Sequence, residues 1–307
     1  MRSASRQTQS EPTVTRHILI VGATGMLGHK LVQHLSERYK VTATIRGDAV
    51  PDHPAARAAL ARVALVRNVD VRDLPLLTEA IAAVAPDVVI NAVGIVKQAE
   101  AAKNSLQSIA VNALLPHQIA MACRALPRPA RLVHVSTDCV FSGNAGPYRE
   151  SEFADATDLY GRTKLLGEVT GHNCLTLRTS FIGRELRNGL GLVEWFMSQR
   201  GGSVRGFARA LFSGLTTIAM ADLIGDLIEH HPALEGLWQV ASTPIDKYRL
   251  LKLLNEHFDL SITIARDEAF SCDRCLDGSR FAERTGFRAK PWDDMIAEMR
   301  ADATPYA

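Results

Sequence analysis

The stretch HILIVGATGMLGHKLVQHL, residues 17–35, restricts the fold of this chain more than any other. Its apolar start is typical of a buried strand, and its later apolar residues recur at helical spacing. Three glycines fill the turn between them, where glycine lets the backbone bend tightly and approach a pyrophosphate at the helix N-terminus. The stretch therefore predicts a dinucleotide-binding βα unit. Its GxxGxxG spacing differs from the commoner GxGxxG, which leaves an ordinary tight turn as the alternative. The residues expected to hold the dinucleotide here are Gly22, Thr24, Gly25, Met26, Leu27 and Gly28.

Strand-like and helix-like segments alternate after this unit. Helical patterns separate the predicted strands, and the longest, residues 105–126, contains Pro116, where a kink or break is expected. Such alternation favours parallel pairing, so the sequence predicts an α/β fold of the Rossmann type with a doubly wound parallel sheet. The predicted strands are 17–21, 41–46, 64–71, 87–94, 131–137 and 174–181.

The last third of the chain follows a looser pattern. Residues 183–191 and 198–207 are polar and glycine-rich, which predicts loops that shape a ligand site. Further on, the sequence predicts a smaller mixed α/β region. Its predicted elements are helices over 220–231 and 247–258 and strands over 236–242 and 260–266.

Charge and cysteine usage exclude several classes of protein. The 35 basic and 33 acidic residues give a net charge of +2, which offers no electrostatic case for nucleic acid or an acidic membrane. No uncharged apolar run approaches the roughly 18 residues of a membrane span, and no apolar secretory segment opens the chain, so a soluble cytoplasmic protein is expected. Five scattered cysteines suggest reduced thiols. Cys272 and Cys275 form a CxxC without a second ligand pair, so no metal is expected; metal or redox use is the alternative.

The end of the second predicted strand bears on the choice of dinucleotide. NAD sites usually place an acid there, which accepts from the ribose hydroxyls. This chain has Arg46 instead, and a guanidinium can bind the 2′-phosphate of NADP. NADP is therefore favoured, while Asp48 keeps NAD possible and a solvated surface role for Arg46 is the alternative.

The next two strand ends supply further candidate cofactor contacts. Asp70 and Val71 end the third strand, where a carboxylate could accept from the adenine amino group and an apolar side chain could pack on the ring. Small residues at the end of the fourth strand would let the nicotinamide ribose approach the backbone. The residues at that end are Asn91, Ala92, Val93 and Gly94.

Three side chains form a candidate catalytic group. Ser136 and Thr137 follow the fifth strand, at the same sheet edge as the glycines. Tyr160 and Lys164 lie at i and i+4 on one helix face, and their alternative is an ordinary surface pair. A neighbouring ammonium would lower the phenol pKa from about 10. Tyr160 could then protonate a carbonyl oxygen while NADPH delivers hydride, Thr137 would hydrogen-bond that oxygen, and Lys164 would hold the ribose.

The motifs GATGMLG, NAVG, VNALLP, STDCVF and YGRTK together resemble the extended short-chain dehydrogenase/reductases. The likeness to dTDP-4-dehydrorhamnose reductases is closer, because LYGRTKLLGE and LRTSFIG follow STDCVFSG. The resemblance implies reduction of a nucleotide-linked 4-keto sugar for a bacterial surface polysaccharide, by a possible homodimer. It makes Thr137, Tyr160 and Lys164 catalytic. It also implies that Asn112 supports the site. An equal alternative is that Asn112 hydrogen-bonds backbone groups that a helix kink before Pro116 leaves free.

The resemblance also implies a division of the chain. We expect a disordered tail over 1–16 and a dinucleotide-binding domain over 17–180, which part of 206–240 is expected to join. Residues 181–300 would form mainly the substrate-binding domain. Substrate contacts are expected from Lys97, Asp138, Cys139, Arg187 and Arg205. Arg209 lies in the same loosely patterned last third of the chain, where an arginine could bind a diphosphate. For the basic residues, a solvated position on the surface is the alternative.

Cys139 departs from the reductase pattern, in which an aromatic residue is common at this position. Sugar-nucleotide dehydratases carry Asp-Glu after the catalytic threonine, and the missing glutamate argues against dehydration. GDP-fucose synthases use a cysteine here in epimerisation, so Cys139 is either a residue lining the site or an acid/base. An epimerase and a non-catalytic NADP-binding regulatory subunit, as in methionine adenosyltransferase, therefore remain alternatives. The nucleotide of the substrate is also left open, since the sugar could be linked to dTDP, UDP or GDP.

Trp195 lies in an apolar helical stretch and is expected in the core.

Overall fold

The computed structural model describes residues 16–97, 104–186 and 189–306, so the predicted tail over 1–16 lies almost wholly outside the described residues. Its largest element is a seven-stranded sheet whose neighbouring strands are all parallel. In spatial order these strands are β10 (Gly236–Gln239), β6 (Cys174–Arg178), β5 (Arg131–Val135), β4 (Val88–Asn91), β1 (His17–Val21), β2 (Lys40–Thr44) and β3 (Ala64–Val66). The order reverses between β1 and β4, which confirms the predicted doubly wound fold.

Helices cover both faces of this sheet because its strands are apolar on both sides. Ile18 and Ile20 point into one core, while Leu19 and Val21 point into the other, as the two-residue period of a strand requires. One face is covered by α1 (Gly28–Leu35) and α8 (Thr217–His230), and the other by α3 (Leu74–Val84) and α5 (Leu115–Ala125). Six of the predicted strands are shorter than expected. β2, β5, β6 and β10 lose one to three residues, β6 ending at Arg178, and the largest differences are in β3, which ends at Val66, and β4, which ends at Asn91.

The predicted interruption near Pro116 takes the form of a π-helical segment. Residues Ile109–Leu114 form this segment between α4 (Ser105–Ser108) and α5, and Pro116 lies in the first turn of α5. Proline has no N–H to donate to the carbonyl four residues earlier, that of Asn112. Gly167, which ends α6 (Leu159–Leu166), packs so closely that a Cβ there would overlap this carbonyl oxygen.

A three-stranded sheet in the order β11 (Ile245–Asp246), β8 (Ser203–Phe212) and β12 (Thr263–Asp273) forms the smaller mixed region. The predicted loop over 198–207 is therefore wrong from Ser203 onward. Gly206 lies inside β8 because α9 (Lys247–His257) crosses it closely: a Cβ at Gly206 would approach the Tyr248 Cα at 2.9 Å. The strand predicted over 260–266 begins at Thr263 and continues to Asp273.

Short elements complete the described chain. The strands β7 (Phe181–Ile182) and β9 (Leu215–Thr216) pair with each other. The remaining helices are α2 (Pro54–Leu60), α7 (Leu192–Met197), α10 (Ser279–Thr285) and α11 (Trp292–Ala301). Within the described ranges, no helix combines the length and apolar character needed to cross a bilayer.

Candidate active site

The turn between β1 and α1 depends on its glycines. Gly22 has a φ of +92°, and a Cβ there would lie 2.7 Å from the Val93 side chain. A Cβ on Gly28 would overlap the Gly22 carbonyl oxygen, and Gly25 N–H donates to that same oxygen at 3.0 Å. Side chains at Gly22 and Gly28 would therefore force the turn apart, and only the tight turn leaves the α1 N-terminus open to a dinucleotide pyrophosphate.

A cavity of about 650 Å³ opens in front of this turn, along the carboxyl ends of β1 to β5. Its size suits a dinucleotide or a comparable ligand. All but one of the predicted cofactor residues line it, the exception being Gly28, which lies behind the turn. The lining residues that the sequence predicted are Gly22, Thr24, Gly25, Met26, Leu27, Arg46, Asp70, Val71, Asn91, Ala92, Val93, Gly94, Tyr160 and Lys164.

Sequence reasoning missed part of the cavity wall. Glu185 and Leu186 line the cavity from the segment after β7, and Ala49 and Pro51 line it from the segment after β2. Glu185 and Leu186 lie in the segment 183–191 that the sequence predicted to shape a ligand site, although neither residue was singled out. Nothing in the local pattern of DAVP distinguishes Ala49 and Pro51 from ordinary loop positions. They reach the cavity through contacts between distant parts of the chain.

Three charged residues, Arg46, Asp70 and Arg72, line the end of the cavity at β2 and β3. The Arg72 side chain binds the Asp70 carboxylate, with 2.5 Å between Arg72 Nη2 and Asp70 Oδ2, and lowers the pKa of Asp70 to about 2. Arg46 is exposed and lies close enough to contribute to this lowering. Asp70 is therefore an ionised acceptor that already has one cationic partner.

Two buried asparagines fix the backbone after β4. The Asn91 Oδ1 accepts from Val93 N–H at 3.1 Å, and its Nδ2 donates to Nδ1 of His134 at 3.1 Å. The Asn112 Oδ1 accepts from Ile95 N–H at 2.8 Å, while its Nδ2 donates to the Ile95 carbonyl oxygen at 3.0 Å. The Asn112 side chain therefore binds the strand end that lines the cavity. This contact favours the supporting role over the kink-satisfying alternative.

The structure brings Thr137, Tyr160 and Lys164 together at the end of β5. Thr137 is buried; its Oγ1 accepts from Cys139 N–H at 3.1 Å and donates to Asp138 Oδ1 at 3.2 Å, and its side chain lies close enough to Tyr160 to act on the pKa of the phenol. Tyr160 and Lys164 lie on α6, which begins after Asp158, whose carboxylate accepts from a backbone N–H of the first turn. Lys164 is 4% exposed, and its ammonium donates to the Val135 carbonyl oxygen at 2.8 Å.

The pKa values in this group correct one expectation. Burial raises the pKa of Tyr160 above its ordinary value, Cys139 adds to the rise, and the nearby Thr137 hydroxyl opposes it. Lys164, expected to lower that pKa, is itself desolvated, and burial lowers its own pKa to about 8. Burial therefore outweighs the ammonium, and Tyr160 is a protonated phenol at neutral pH.

Cys139 lies beside the same group in an environment that keeps it protonated. Burial, and then the neighbouring Asp138, raise the pKa of its thiol to about 12. Burial also raises the pKa of Asp138. Because the thiolate is the reactive form of cysteine, this environment argues against an acid/base or nucleophilic role for Cys139.

A half-buried lysine that the sequence did not predict, Lys247, lies near enough to Asp138 and Cys139 to interact with their charges. Burial lowers the pKa of Lys247, and Asp138 and then Cys139 act in the opposite direction. The ammonium lies 4.1 Å from the centre of the Phe212 ring. Lys247 opens the amphipathic helix α9, where a lysine at this position gives no sign of a site.

The predicted substrate residues outside this group lie apart from the cavity wall. Lys97 is exposed and pairs with Asp158 at 2.9 Å, beside the first turn of α6. Arg205 pairs with Asp267 at 3.1 Å on the smaller sheet, and Arg209 is exposed on the same strand. The ion pair of Arg205 and the exposure of Arg209 favour the surface alternative for these two residues. Arg187 lies outside the described residues.

Trp195 is not in the core, contrary to the prediction. Its side chain is 41% exposed, whereas Val193 and Phe196 are almost fully buried. The two buried residues are three apart and define the inner face of the short helix α7. Trp195 lies beside that face rather than on it.

No metal ligand set accompanies the site. The part of the chain that the structure describes brings together no group of three or more His, Cys, Asp or Glu side chains that could hold a metal ion. All five cysteines are free thiols, including Cys272 and Cys275 of the CxxC. Cys272 instead packs against Gly143, in the segment between β5 and α6.

Comparison with known proteins gives several matches. A dTDP-4-dehydrorhamnose reductase of Streptomyces griseus is 35% identical over 152 residues, 49% of this chain and 43% of that protein. The chain thus spans less than half of that relative. The spore coat polysaccharide biosynthesis protein SpsK of Bacillus subtilis is 24% identical over 301 residues, 92% of this chain and 95% of that protein.

Solved structures share the fold. The dTDP-4-dehydrorhamnose reductase of Bacillus anthracis in complex with NADP superposes with a TM-score of 0.75 at 18% identity, covering 93% of this chain and 99% of that chain. The Bordetella bronchiseptica enzyme WbmG in complex with NAD and UDP has the same TM-score and identity, covering 94% of each chain.

Family membership follows from a longer match. Residues 16–199, more than half of the chain, match the family described as the RmlD substrate binding domain. That stretch contains the glycine turn, the Asn91 strand end and the group formed by Thr137, Tyr160 and Lys164. The resemblance found in the motifs is confirmed, and the chain belongs to the RmlD substrate binding domain family.

Proposed function

We propose that this protein reduces a nucleotide-linked 4-keto-6-deoxy sugar with NADPH. The observation that carries the proposal is that Tyr160 and Lys164 line a cavity built on glycines, with Thr137 beside the Tyr160 phenol. A proton donor beside a dinucleotide cavity is what carbonyl reduction needs. The names of the reductase relatives support the substrate class.

The residues divide the chemistry between them. Tyr160 holds its proton at neutral pH, because burial raises its pKa, and gives it to the carbonyl oxygen as that oxygen becomes an alkoxide. Thr137 hydrogen-bonds the same oxygen and limits the charge that develops there. A bound NADPH would supply the hydride for the carbonyl carbon. Lys164, protonated below its pKa of about 8, donates to a ribose hydroxyl of the cofactor and holds it in register.

NADPH is the preferred cofactor in this proposal because Arg46 stands at the end of β2. Its side chain is exposed, lines the cavity, and carries the charge that a 2′-phosphate requires. Structural neighbours crystallised with either NADP or NAD, so the fold accommodates both. The acidic group near this end, Asp70, is occupied by Arg72.

The reductase reading is preferred to the epimerase reading because of Cys139. An epimerase that used this thiol would need it to gain and lose a proton near neutral pH. Its pKa of about 12 opposes that role. The likeness to SpsK supports a place in surface polysaccharide synthesis. A cytoplasmic location, a homodimer and the division of the chain into domains stay predictions.

The test follows NADPH oxidation with 4-keto-6-deoxy sugars linked to dTDP, UDP and GDP. Tyr160→Phe should lower kcat by about 10²- to 10⁴-fold, the usual contribution of a general acid, while NADPH still binds. Tyr248→Phe, which alters a tyrosine on α9 away from the cavity, is the matched control and should keep full turnover. Turnover by Tyr160→Phe within twofold of the parent would contradict the mechanism.

Two further results would point to the alternative functions. Solvent deuterium incorporated at C3 or C5 of the sugar, and lost in Cys139→Ser, would establish an epimerase instead. NADPH binding without turnover of any sugar in the panel would favour a regulatory subunit. The proposal expects neither result.

A further inference from the structure

The residues that follow α11 pack against the first turns of α1. This segment, residues 302–306, is called the clamp segment below. It lies about 270 residues from its partners in sequence, and several of its contacts are partly buried. The contacts lead from the clamp segment to two parts of the cavity wall, which raises the question of what it does for a bound dinucleotide.

One set of contacts attaches the clamp segment to α1. Lys30 is 2% exposed, and its ammonium donates to the Asp302 carboxylate, with which it forms an ion pair. The same ammonium donates to Thr304 Oγ1 at 2.8 Å and to Gln33 Oε1 at 2.7 Å. Because an unpaired buried ammonium is costly, Lys30 depends on the clamp segment being in place.

A second set joins Tyr306 to the glycine turn through one imidazole ring. A carbonyl oxygen can only accept, so His29 Nδ1 donates to the Gly25 carbonyl oxygen at 2.9 Å. Burial lowers the pKa of His29 to about 4, so the ring is neutral and its Nε2 is an acceptor. Tyr306 Oη, 2.7 Å from Nε2, therefore donates to it. The hydroxyl fixes the ring tautomer that binds the turn.

A third set joins Tyr306 to the part of the cavity wall that follows β7. The Arg184 guanidinium lies over the Tyr306 ring, 4.5 Å from its centre, and pairs with Glu194 at 2.5 Å. The same Glu194 carboxylate oxygen accepts from Glu185 N–H at 3.1 Å. Leu186 is buried in a small apolar cluster that includes Tyr306. Tyr306 thus contacts the supports of two cavity-lining residues, Glu185 and Leu186.

We propose that Tyr306 is a positioning residue for the dinucleotide, acting through His29 on the glycine turn and through Arg184 and Leu186 on the segment after β7. It holds both parts of the wall in the arrangement that accepts the cofactor. This inference rests on the proposed function, because it takes the cavity to be the dinucleotide site. Coupling between two sites is reciprocal, so a bound dinucleotide must also stabilise the clamp segment.

The first test measures the Kd of the full-length protein for NADPH by fluorescence titration. Tyr306→Phe removes one partly buried hydrogen bond and should raise the Kd about 2- to 10-fold, and Tyr306→Ala should raise it further. The kcat at saturating NADPH should stay within about twofold. Tyr39→Phe is the matched control: its hydroxyl donates to Glu229 at 2.7 Å beyond the other end of α1, so its Kd should not change.

The outcomes separate this inference from the proposed function. An unchanged Kd in both Tyr306 variants, or an equal rise in Tyr39→Phe, overturns the positioning role while leaving the proposed function intact. A parent protein that binds neither NADPH nor NADH overturns both. Tyr306→Phe keeps the ring and its packing, so the test remains decisive if Tyr306→Ala does not fold.

The second test uses the reciprocity directly. The N–H groups of Thr304 and Tyr306 donate within the clamp segment, to the Asp302 carboxylate and the Thr304 carbonyl oxygen. Saturating NADPH should slow hydrogen exchange of these two amides in the parent protein, and the slowing should be smaller in Tyr306→Phe. Exchange that NADPH leaves unchanged at both amides would overturn the inference.

Discussion

Replacement of Lys164 by methionine should remove activity and also change how stability depends on pH. Methionine matches the length of the lysine stem and carries no charge. Lys164 is 4% exposed, and burial lowers the pKa of its ammonium from an ordinary value of 10.5 to about 8. At neutral pH the charged ammonium in the folded state therefore lowers the free energy of unfolding of the parent protein.

The direction of the pH effect follows from proton binding. Between pH 8 and pH 10.5 the unfolded chain holds a proton on Lys164 that the folded protein lacks, so the parent becomes more stable as pH rises. At about 1.36 kcal/mol per pKa unit, the charged lysine costs about 3 kcal/mol at pH 7 and about 1 kcal/mol at pH 9.5. Between pH 7 and pH 9.5, the free energy of unfolding of the parent should therefore rise by about 2 kcal/mol relative to that of Lys164→Met.

Urea unfolding at pH 7, 8, 9 and 9.5 measures this difference, and the exposed Lys40→Met controls for the loss of one positive charge. The same Lys164→Met protein should lose about 10²-fold in kcat/KM, because a charge-assisted hydrogen bond of up to about 3 kcal/mol to the cofactor is missing. A stability difference that stays constant within about 0.5 kcal/mol from pH 7 to 9.5 would refute the desolvation reasoning.

Three further substitutions test separate features of the structure. Asp302→Asn leaves the buried Lys30 ammonium without its carboxylate and should lower the free energy of unfolding by about 3–5 kcal/mol in urea; a loss below about 1 kcal/mol would contradict this. Gly206→Ala places a Cβ 2.9 Å from the Tyr248 Cα and should cost about 1–3 kcal/mol, seen as a lower Tm, whereas an unchanged Tm would show that α9 can shift. Cys139→Ser should keep turnover within about threefold, since its thiol stays protonated at neutral pH; a loss above about 100-fold would restore an acid/base role.

The large sheet could be predicted because its signals are local. Each of its inner strands is a short apolar run buried on both faces, and a helical pattern follows before the next strand. The turn after β1 carries its own signature, because Gly22 must adopt a positive φ and Gly28 must let the chain pass close to it. The cofactor residues followed from these elements, since parallel strands end at one edge.

The strand β8 escaped prediction because its inward positions hold small residues. Gly206 and Ala210 face the helix, while Arg205 and Arg209 face outward, so the alternation is between small and charged rather than between large apolar and polar. The preceding glycine pair, Gly201 and Gly202, made the whole segment resemble a loop. A crossing helix, invisible in the local sequence, determines which residue fits at each position.

Some site residues were missed because they lie far along the chain from the residues that they contact. Tyr306 reaches His29 across 277 positions, and Lys247 reaches Asp138 from the start of a helix that is otherwise an ordinary amphipathic one. Desolvation could not be predicted for the same reason, because it depends on parts of the chain that are distant in sequence. The pKa values of Tyr160 and Lys164 depend on how completely other elements cover them, and a spacing of four residues carries no information about that cover.

The late position of β10 in the chain has a consequence for synthesis. β6 pairs with β10 along one edge, yet about 60 residues separate the two strands, so at about 5–20 residues per second the ribosome needs roughly 3–12 s to supply the partner. During that interval β6 presents an open row of backbone donors and acceptors to whatever is nearby. A nascent chain that stalls after the family-matching stretch, at residue 199, would keep that edge unpaired and would be exposed to pairing with another unfinished copy.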